Sequence, residues 1–252
     1  MATITHIHDC DIQRRAVPGA YEGDFRDCYI EGDVAGIPSG AHDGTQVAVG
    51  LIVPGAKGSE YERRGLIWYD LRAYIPRSAV ITAARWWFYV VSTNATNDHN
   101  FRLQRIRRND EASGNHWKEG QASWTNYRTG QAWGVPGAAD TTTDRDTAIS
   151  VTLGAITTTG WKNYDILALA SDAWANRGGI CTFIMERSDA YMTVQGEVMF
   201  HAKNYEVDPY GGPLAHHLRI TYTLDGRTFQ ALVFDGIGAP PAGFPYSQAV
   251  IA

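Results

Sequence analysis

Residues 80–92 read VITAARWWFYVVS, a run of apolar and aromatic side chains with a single charged residue. Successive side chains of a β-strand point to opposite faces of the sheet, so Trp86 and Phe88 share one face with the small and aliphatic residues at 84 and 90. Trp87 and Tyr89 share the other face. Because the first set is apolar throughout, we predict that Trp86 and Phe88 face the core and that Trp87 and Tyr89 lie outside.

Similar short runs, rich in Val, Ile, Tyr, Trp and Thr, recur along the chain between clusters of Gly, Pro, Asn and Asp. This pattern is typical of a β-sandwich or barrel, and the number of runs is usual for a jelly roll. The predicted strands are Thr45–Val53, Gly65–Leu71, Val80–Ser92, Asn100–Arg107, Ile149–Leu153, Ile180–Glu186, Glu197–Ala202 and His216–Leu224. The large side chains expected in the core are Ile67, Tyr69, Trp86, Phe88, Leu103, Phe183 and Leu218. We therefore predict an all-β fold, a jelly-roll-like antiparallel β-sandwich.

Two segments depart from the strand pattern. Asp165–Asn176 reads DILALASDAWAN, in which Ile166, Leu169 and Ala173 recur at helical spacing, so we predict one short helix that covers an open end of the core. The long stretch Asn109–Arg145 is rich in Gly, Asn, Thr and Asp but carries four large aromatic residues, namely Trp117, Trp124, Tyr127 and Trp133. Long structureless loops are uncommon inside compact domains, so we expect this loop to pack against the sandwich.

A length of 252 residues suits one β-sandwich domain with extensions at both ends. We assign residues 1–39 to an N-terminal extension, residues 40–224 to the sandwich and residues 225–252 to an extended C-terminal arm. The arm is apolar, rich in Pro and Gly and almost without charge. We expect its aromatic residues to contact a neighbouring subunit during assembly; these are Phe229, Phe234, Phe244 and Tyr246.

Composition argues against several classes of protein. The 22 basic and 27 acidic residues give a net charge of −5, which is not the basic footprint that nucleic-acid binding needs. No apolar stretch approaches the roughly 20 residues of a membrane span, so we expect no membrane partner. Met1–Arg15 lacks the pattern of a secretory signal, and we expect synthesis in the cytoplasm. The three cysteines, Cys10, Cys28 and Cys181, have no metal-ligand spacing and are expected to be buried thiols.

Several sequence blocks resemble the DNRLRE family. They are RGLIWYDLRAYIP at 64–76 followed by SAVITAA at 78–84, WKEGQASW at 117–124 with WGVPGA at 133–138, WKNYDILALA at 161–170, FHAKN at 200–204 and the stretch 213–223. The resemblance covers residues 40–224. It implies a jelly-roll sandwich used as an accessory or carbohydrate-binding module, with some relatives similar to alginate-binding modules. Such modules are mostly parts of secreted multi-domain proteins, and this chain differs because we expect neither an export signal nor an attached domain.

Catalytic patterns are not apparent in the sequence. It contains no Gly-x-Ser-x-Gly, no His-Glu-x-x-His and no phosphate loop, and no pair of carboxylates is identifiable as that of a glycoside hydrolase. Glu119 is the one candidate for a catalytic carboxylate, and the alternative is that it anchors the long loop through hydrogen bonds. His216 and His217 are neighbours in a strand, point to opposite faces and cannot share a metal ion. We therefore predict that the protein is not an enzyme.

Asp140, Asp144 and Asp146 are candidate calcium ligands, because a hard cation prefers several carboxylate oxygens in a flexible loop. Their spacing is not that of an EF-hand, and a solvated acidic loop is the alternative. No other cofactor is expected.

The outward aromatic residues are the more informative candidates. Strand alternation places Trp68 outside as well, next to Trp87 and Tyr89. Exposed rings stack on sugars or form the buried centre of a subunit interface. A cover formed by the protein's own loop or arm is the third alternative.

The sequence is compatible with two functions. The first is a structural virion protein of a tailed phage, a capsid decoration or tail component, made in the host cytoplasm. It would be a homo-oligomer, with a trimer favoured, and would bind other virion proteins. The alternative is a carbohydrate-binding module that recognises an acidic or cell-surface polysaccharide, in which case a host polysaccharide is the partner.

Overall fold

The computed structural model describes residues 4–5, 25–33, 38–42, 46–52, 61–72, 74–96, 99–188, 195–202 and 216–233. Strands dominate these residues. They are β1 (Ile4–Thr5), β2 (Phe25–Asp33), β3 (Pro38–His42), β4 (Gln46–Ile52), β5 (Tyr61–Asp70), β6 (Val80–Thr93), β7 (Asn100–Ile106), β8 (Asn109–Asp110), β9 (Asn115–His116), β10 (Asn126–Arg128), β11 (Gln131–Ala132), β12 (Arg145–Ala155), β13 (Gly160–Asp165), β14 (Ile180–Arg187), β15 (Gly196–His201), β16 (His217–Leu224) and β17 (Arg227–Val233). One helix, α1 (Leu167–Asn176), lies among them. Every predicted strand and the predicted helix are present.

The strands form a curled sheet with two layers. The first layer runs β3-β2-β5-β14-β7-β12, and the second runs β13-β6-β16-β17, with β1 beside β17. At one side β15 pairs with both β6 and β4, and β4 pairs with β5, so the sheet continues from one layer into the other. Apart from the parallel pair β1–β17, the pairings are antiparallel. The all-β, sandwich-like architecture is therefore confirmed.

The core lies between the two layers, and its predicted members are buried. All seven large side chains expected there have no exposed surface, from Ile67 on β5 to Leu218 on β16. The Trp86 ring lies 4.3 Å from that of Phe88, which in turn lies 5.0 Å from Phe200. The face assignment of β6 is thus correct.

A chain of polar side chains crosses this apolar core. Trp86 Nε1 donates to the Tyr69 hydroxyl at 3.0 Å, and that hydroxyl is hydrogen-bonded to Nδ1 of His216. His216 Nε2 lies 2.7 Å from Asp27 Oδ2. Burial raises the pKa of Tyr69 well above its usual value, so the phenol stays protonated at neutral pH. Because Asp27 and Tyr69 belong to the first layer and the other two to the second, the chain ties the layers together.

Helix α1 packs against β14, β6 and β12 at the open end of the sandwich, as predicted. It begins two residues later than predicted because Asp165 still belongs to β13, where its carboxylate accepts a hydrogen bond from Leu167 N at 2.9 Å. Arg105 of β7 anchors the helix, since its guanidinium donates to Asp172 at 2.5 Å and also binds Asp146 of β12. No helix in the described part of the chain is long and apolar enough to cross a membrane.

The long loop folds into two short hairpins, β8–β9 and β10–β11, and covers the outer face of the first layer. Trp117, Trp124 and Trp133 are buried there in a second apolar cluster with side chains of β2, β5 and β14. Trp117 Nε1 donates to Thr182 Oγ1 at 2.9 Å, and that hydroxyl donates to the Ile67 carbonyl oxygen at 2.8 Å. The prediction that this loop packs down is confirmed.

Charged side chains fasten the edge of the loop to the sheet. Glu186 of β14 accepts hydrogen bonds from Arg145 at 2.6 Å and Arg102 at 2.9 Å, and it lies 3.5 Å from Arg64. Burial alone would raise the pKa of Glu186, but these three guanidiniums outweigh it and hold the pKa below its usual value. Arg64 also donates to the Gly137 carbonyl oxygen in the loop at 2.6 Å. These contacts therefore link four strands, β5, β7, β12 and β14, and the loop.

Three sequence-based expectations are wrong. The first is the N-terminal extension 1–39, because β2 lies within this range and pairs along β5 as part of the first layer. The second concerns the outer face of β5. Trp68 is not on an open surface but is 1% exposed, since the loop covers that face of β5. Its ring meets Trp117 edge to face at 6.1 Å, and the Arg26 guanidinium lies over it at 4.3 Å. Cover by the protein's own loop, one of the open alternatives, is thus correct for Trp68.

The third correction concerns the start of the C-terminal arm. Residues 227–233 are strand β17, paired along β16, and Phe229 stacks on Tyr222 at 5.3 Å with 8% of its surface exposed. The connection is a two-residue turn in which Asp225 and Gly226 both have positive φ, a conformation suited to a tight hairpin. The other arm residues, Phe234, Phe244 and Tyr246, lie outside the described residues.

Candidate functional site: an aromatic sheet face

The outer face of the second layer collects aromatic, imidazole and guanidinium side chains. Strand register places Trp87 and Tyr89 of β6 beside residues of β13, β15 and β16. Three cross-strand rows result: Asp165, Arg85 and Arg219; Asn163, Trp87 and His217; and Trp161, Tyr89 and His201. We call these nine residues the aromatic face.

The rings of the aromatic face interlock. Trp161 meets Trp87 at 6.5 Å and 68°, and it meets Tyr89 at 5.6 Å and 87°. The imidazole rings are closer to parallel with their neighbours, since the His217 plane lies at 3° to that of Trp87 and the His201 plane at 23° to that of Tyr89. Edge-to-face arrangements are favoured by the quadrupoles of the rings. The three large rings therefore form ridges instead of one flat platform.

Exposure differs across this face. Trp87, Tyr89 and Trp161 are half-buried, whereas His201 and His217 are buried. The outward orientation expected for Trp87 and Tyr89 is what the structure has. Sequence reasoning missed Trp161, although GWKNYD at 160–165 alternates in the manner of a strand with Trp161, Asn163 and Asp165 on one face.

Charge is concentrated at one end of the face. Arg85 is exposed and donates to Asn163 Oδ1 at 2.6 Å, and its neighbours across the strands are Asp165 and Arg219. The Arg219 guanidinium lies 4.7 Å from the centre of a Trp87 ring, within the range of a cation–π contact. Such a surface can bury rings against a partner and pair guanidiniums with carboxylates of that partner.

The candidate calcium ligands do not form a metal site. Asp144 is fully buried and accepts hydrogen bonds from the backbone N–H groups of Gly134 at 2.9 Å, Val135 at 3.2 Å and Asp140 at 3.3 Å. Asp146 is bound by arginines, and no cluster of three potential metal-ligating side chains occurs among the described residues. The calcium prediction is therefore wrong for this set, because protein donors occupy the carboxylate oxygens and fold the loop.

Asp140 has a similar local role. Its carboxylate accepts from Thr142 N at 2.7 Å and from Thr143 N at 3.3 Å. The hydrogen bond from the Thr142 amide contributes most to a lowered pKa of Asp140, which keeps the carboxylate charged at neutral pH.

The remaining candidates take structural positions. His216 points into the core and His217 onto the aromatic face, which agrees with their predicted opposite orientations. Cys181 is buried and unpaired, and burial raises the pKa of its thiol to about 12. Cys28 is buried too, and Cys10 lies outside the described residues. Glu119 is half-buried in the long loop.

Comparison with known proteins adds no relative. No protein-family model matches the sequence, and none of the curated proteins gives a match. The resemblance to the DNRLRE family stays a prediction.

Proposed function

We propose that this chain is a non-enzymatic structural protein of a tailed-phage virion, a capsid decoration or tail component, and that the aromatic face is its assembly surface. The observation that carries the proposal is the partial exposure of Trp87, Tyr89 and Trp161 together on one sheet face. The opposite outer face is covered by the long loop with its own tryptophans.

The size and shape of the ring cluster support an interface. Large aromatic side chains bury about 150–250 Å² each when they are fully covered, and these three rings are already half-buried in the subunit, so the exposed remainder can supply part of the apolar centre of a standard interface. Interface centres are enriched in Trp, Tyr and Arg, and all three residue types occur on this face. Because the rings of Trp87, Tyr89 and Trp161 do not form one flat platform, they suit a protein partner whose surface has complementary grooves.

The charged row supports a ring-shaped homo-oligomer, with a trimer favoured. Arg85 lies between Arg219 and Asp165 in this row, so a two-fold contact centred on it would bring together four guanidiniums and only two carboxylates. A heterologous contact places the same row against a different surface of the next subunit and avoids this repulsion. Other virion proteins are proposed as further partners, and the virion as the location.

A carbohydrate-binding module for an acidic or host cell-surface polysaccharide is the second candidate. Rings next to Arg85 and Asn163 favour it, because sugars are bound by aromatic stacking combined with polar contacts. The angles of 68° and 87° between the rings favour it less, since an extended sugar chain stacks best on coplanar rings.

Native mass spectrometry of the full chain tests the assembly surface. We expect an oligomer for the wild type and a monomer for the double variant Trp87→Ser/Tyr89→Ser. Val80→Ser is the matched control, because Val80 lies on the same strand, is 62% exposed and stands apart from the rings. Arg85→Glu changes an exposed side chain of the face without removing a ring, and it should also shift the mass towards the monomer.

The outcomes separate the two candidates. An oligomer that persists in both the double variant and Arg85→Glu rejects this interface. A monomeric wild type that binds acidic oligosaccharides on an array, and loses them on Trp161→Ser, supports the carbohydrate-binding alternative instead. Incorporation of wild type but not of Arg85→Glu into phage particles would support the virion assignment.

A further inference from the structure

A groove of about 360 Å³ opens on a part of the surface that shares no residue with the aromatic face. It lies between the turn that follows β5, the start of the long loop and the C-terminal end of α1. Its lining residues are Arg72, Asn109, Asp110, Glu111, Ala112, Asn176, Arg177, Gly178 and Ile180. All belong to the described part of the chain, and the volume is that of a small-molecule site.

Ion pairs link the charged residues of one part of the groove wall. Arg72 donates through Nε to both carboxylate oxygens of Asp70, at 2.8 and 3.0 Å, and through Nη2 to Glu111 at 3.2 Å. Glu111 in turn binds Arg26 beneath the loop. The carboxylates of Asp70 and Glu111 are thus already paired with arginines.

Arg177, at the C-terminal end of α1, has hydrogen-bonding capacity left over. Its Nε lies 3.6 Å from Asp172 Oδ2, beyond hydrogen-bond distance, and that oxygen accepts a shorter bond of 2.5 Å from Arg105. The side chain is 36% exposed, and its terminal nitrogens make no hydrogen bond within the described residues. Asp172 therefore compensates the charge of Arg177 only in part.

The amide and carboxylate groups beside Arg177 complete the surface. The Asn109 side chain makes no hydrogen bond in the described structure, and Asn176 uses Nδ2 on Asp172 at 3.0 Å, which leaves its Oδ1 available. Asp110 lies on the rim, where its carboxylate accepts hydrogen bonds from Ala112 N at 3.1 Å, Ser113 N at 3.3 Å and Ser113 Oγ at 2.6 Å, and the Ser113 hydroxyl contributes most to its lowered pKa. A carboxylate has about four acceptor positions, so one further donor can be accommodated. Ile180 supplies an apolar floor. The groove is thus lined by the hydrogen-bond donors of Arg177 and Asn109 and by the acceptor carboxylate of Asp110.

We propose that this groove binds a small hydroxy- or amino-carboxylate. The ligand carboxylate would lie on the terminal nitrogens of Arg177 and the Asn109 amide, because a guanidinium fork matches a carboxylate in two parallel hydrogen bonds. A hydroxyl or ammonium group two or three bonds away would donate to Asp110. The short carbon chain between them would rest on Ile180. This site is separate from the proposed assembly surface and independent of it.

Isothermal titration calorimetry on the full chain, with L-malate and L-glutamate as probes, tests the proposal. At least one of them should bind. Binding of L-malate without binding of L-glutamate would identify the ligand's donor as a hydroxyl group. Binding of L-glutamate without binding of L-malate would identify it as an ammonium group. Succinate, which lacks both groups, should bind the wild type at least tenfold more weakly than the better probe. Arg177→Gln should lower the affinity for that probe by at least tenfold.

Matched variants separate the site from general charge effects. Arg227→Gln removes the same charge from an exposed position in the β16–β17 hairpin and should bind as the wild type does. Asn109→Leu fills the groove and should abolish binding, with circular dichroism confirming that it folds. The proposal would be overturned if neither probe binds, if succinate binds as tightly as the better probe, or if Arg177→Gln and Arg227→Gln lower the affinity for that probe equally. Sulfate bound as tightly as the better probe would overturn it as well.

Discussion

Replacing Trp117 by Ala should detach the long loop from the sandwich. The side chain has no exposed surface and is the point where loop and sheet meet, because its indole N–H donates to Thr182 and its ring packs edge to face on Trp68. Loss of a buried tryptophan costs about 3–5 kcal/mol in transfer and cavity terms. The lost hydrogen bond adds about 1 kcal/mol, since the Thr182 hydroxyl keeps its bond to the Ile67 carbonyl.

We therefore expect a loss of about 4–6 kcal/mol in the free energy of unfolding, which is a large part of the stability of an ordinary domain. Trp117→Phe is the comparator, because it keeps most of the packing and removes the donor. It should cost about 1–2 kcal/mol. Guanidinium chloride unfolding followed by circular dichroism gives both values.

Amide hydrogen exchange locates the effect. In Trp117→Ala, exchange should accelerate through residues 109–145 and at the outer positions of β5, and the core strand β6 should keep the highest protection. A loss below about 1 kcal/mol, with unchanged exchange in residues 109–145, would refute the view that this side chain pins the loop.

Three further changes probe other parts of the fold. Phe88→Ala should destabilise the protein by about 3–5 kcal/mol in denaturant unfolding, and a change within about 0.5 kcal/mol would contradict the position of this ring in the core. Because the pKa of Glu186 is lowered in the folded state, its ion pairs contribute stability above its usual pKa of 4.5, and this contribution is lost as the pH falls through the lower folded value. The melting temperature of Glu186→Gln should accordingly fall less steeply than that of the wild type below pH 4.5, and parallel curves would count against the paired carboxylate. The variant that lacks residues 225–252 has lost β17 and should melt at a lower temperature than the variant that lacks only residues 234–252. Equal melting temperatures would mean that β17 does not stabilise the sheet.

Local pattern was sufficient for the parts of the fold that depend on neighbours in sequence. Alternation in residues 80–92 decides which side chains share a face, and the wholly apolar set of Trp86 and Phe88 can only face a core. The helical spacing of Leu169 and Ala173 likewise determines which side of α1 is buried. Strand β13 was missed because GWKNYD carries polar residues and lacks the β-branched side chains that indicate a strand.

Tertiary structure alone decided what covers each face. Alternation puts Trp68 and Trp87 on outer faces alike, yet Trp68 is sealed by a loop that begins about forty residues later, whereas Trp87 stays half-buried beside Trp161. Trp161, Asn163 and Asp165 join the aromatic face only because β13 pairs with β6 across some seventy residues of chain. Asp144 was open to a metal or to solvent until the fold brought three backbone amides to its carboxylate. Periodicity reports the side on which a residue lies, but contacts between distant segments determine whether water, protein or a partner meets it there.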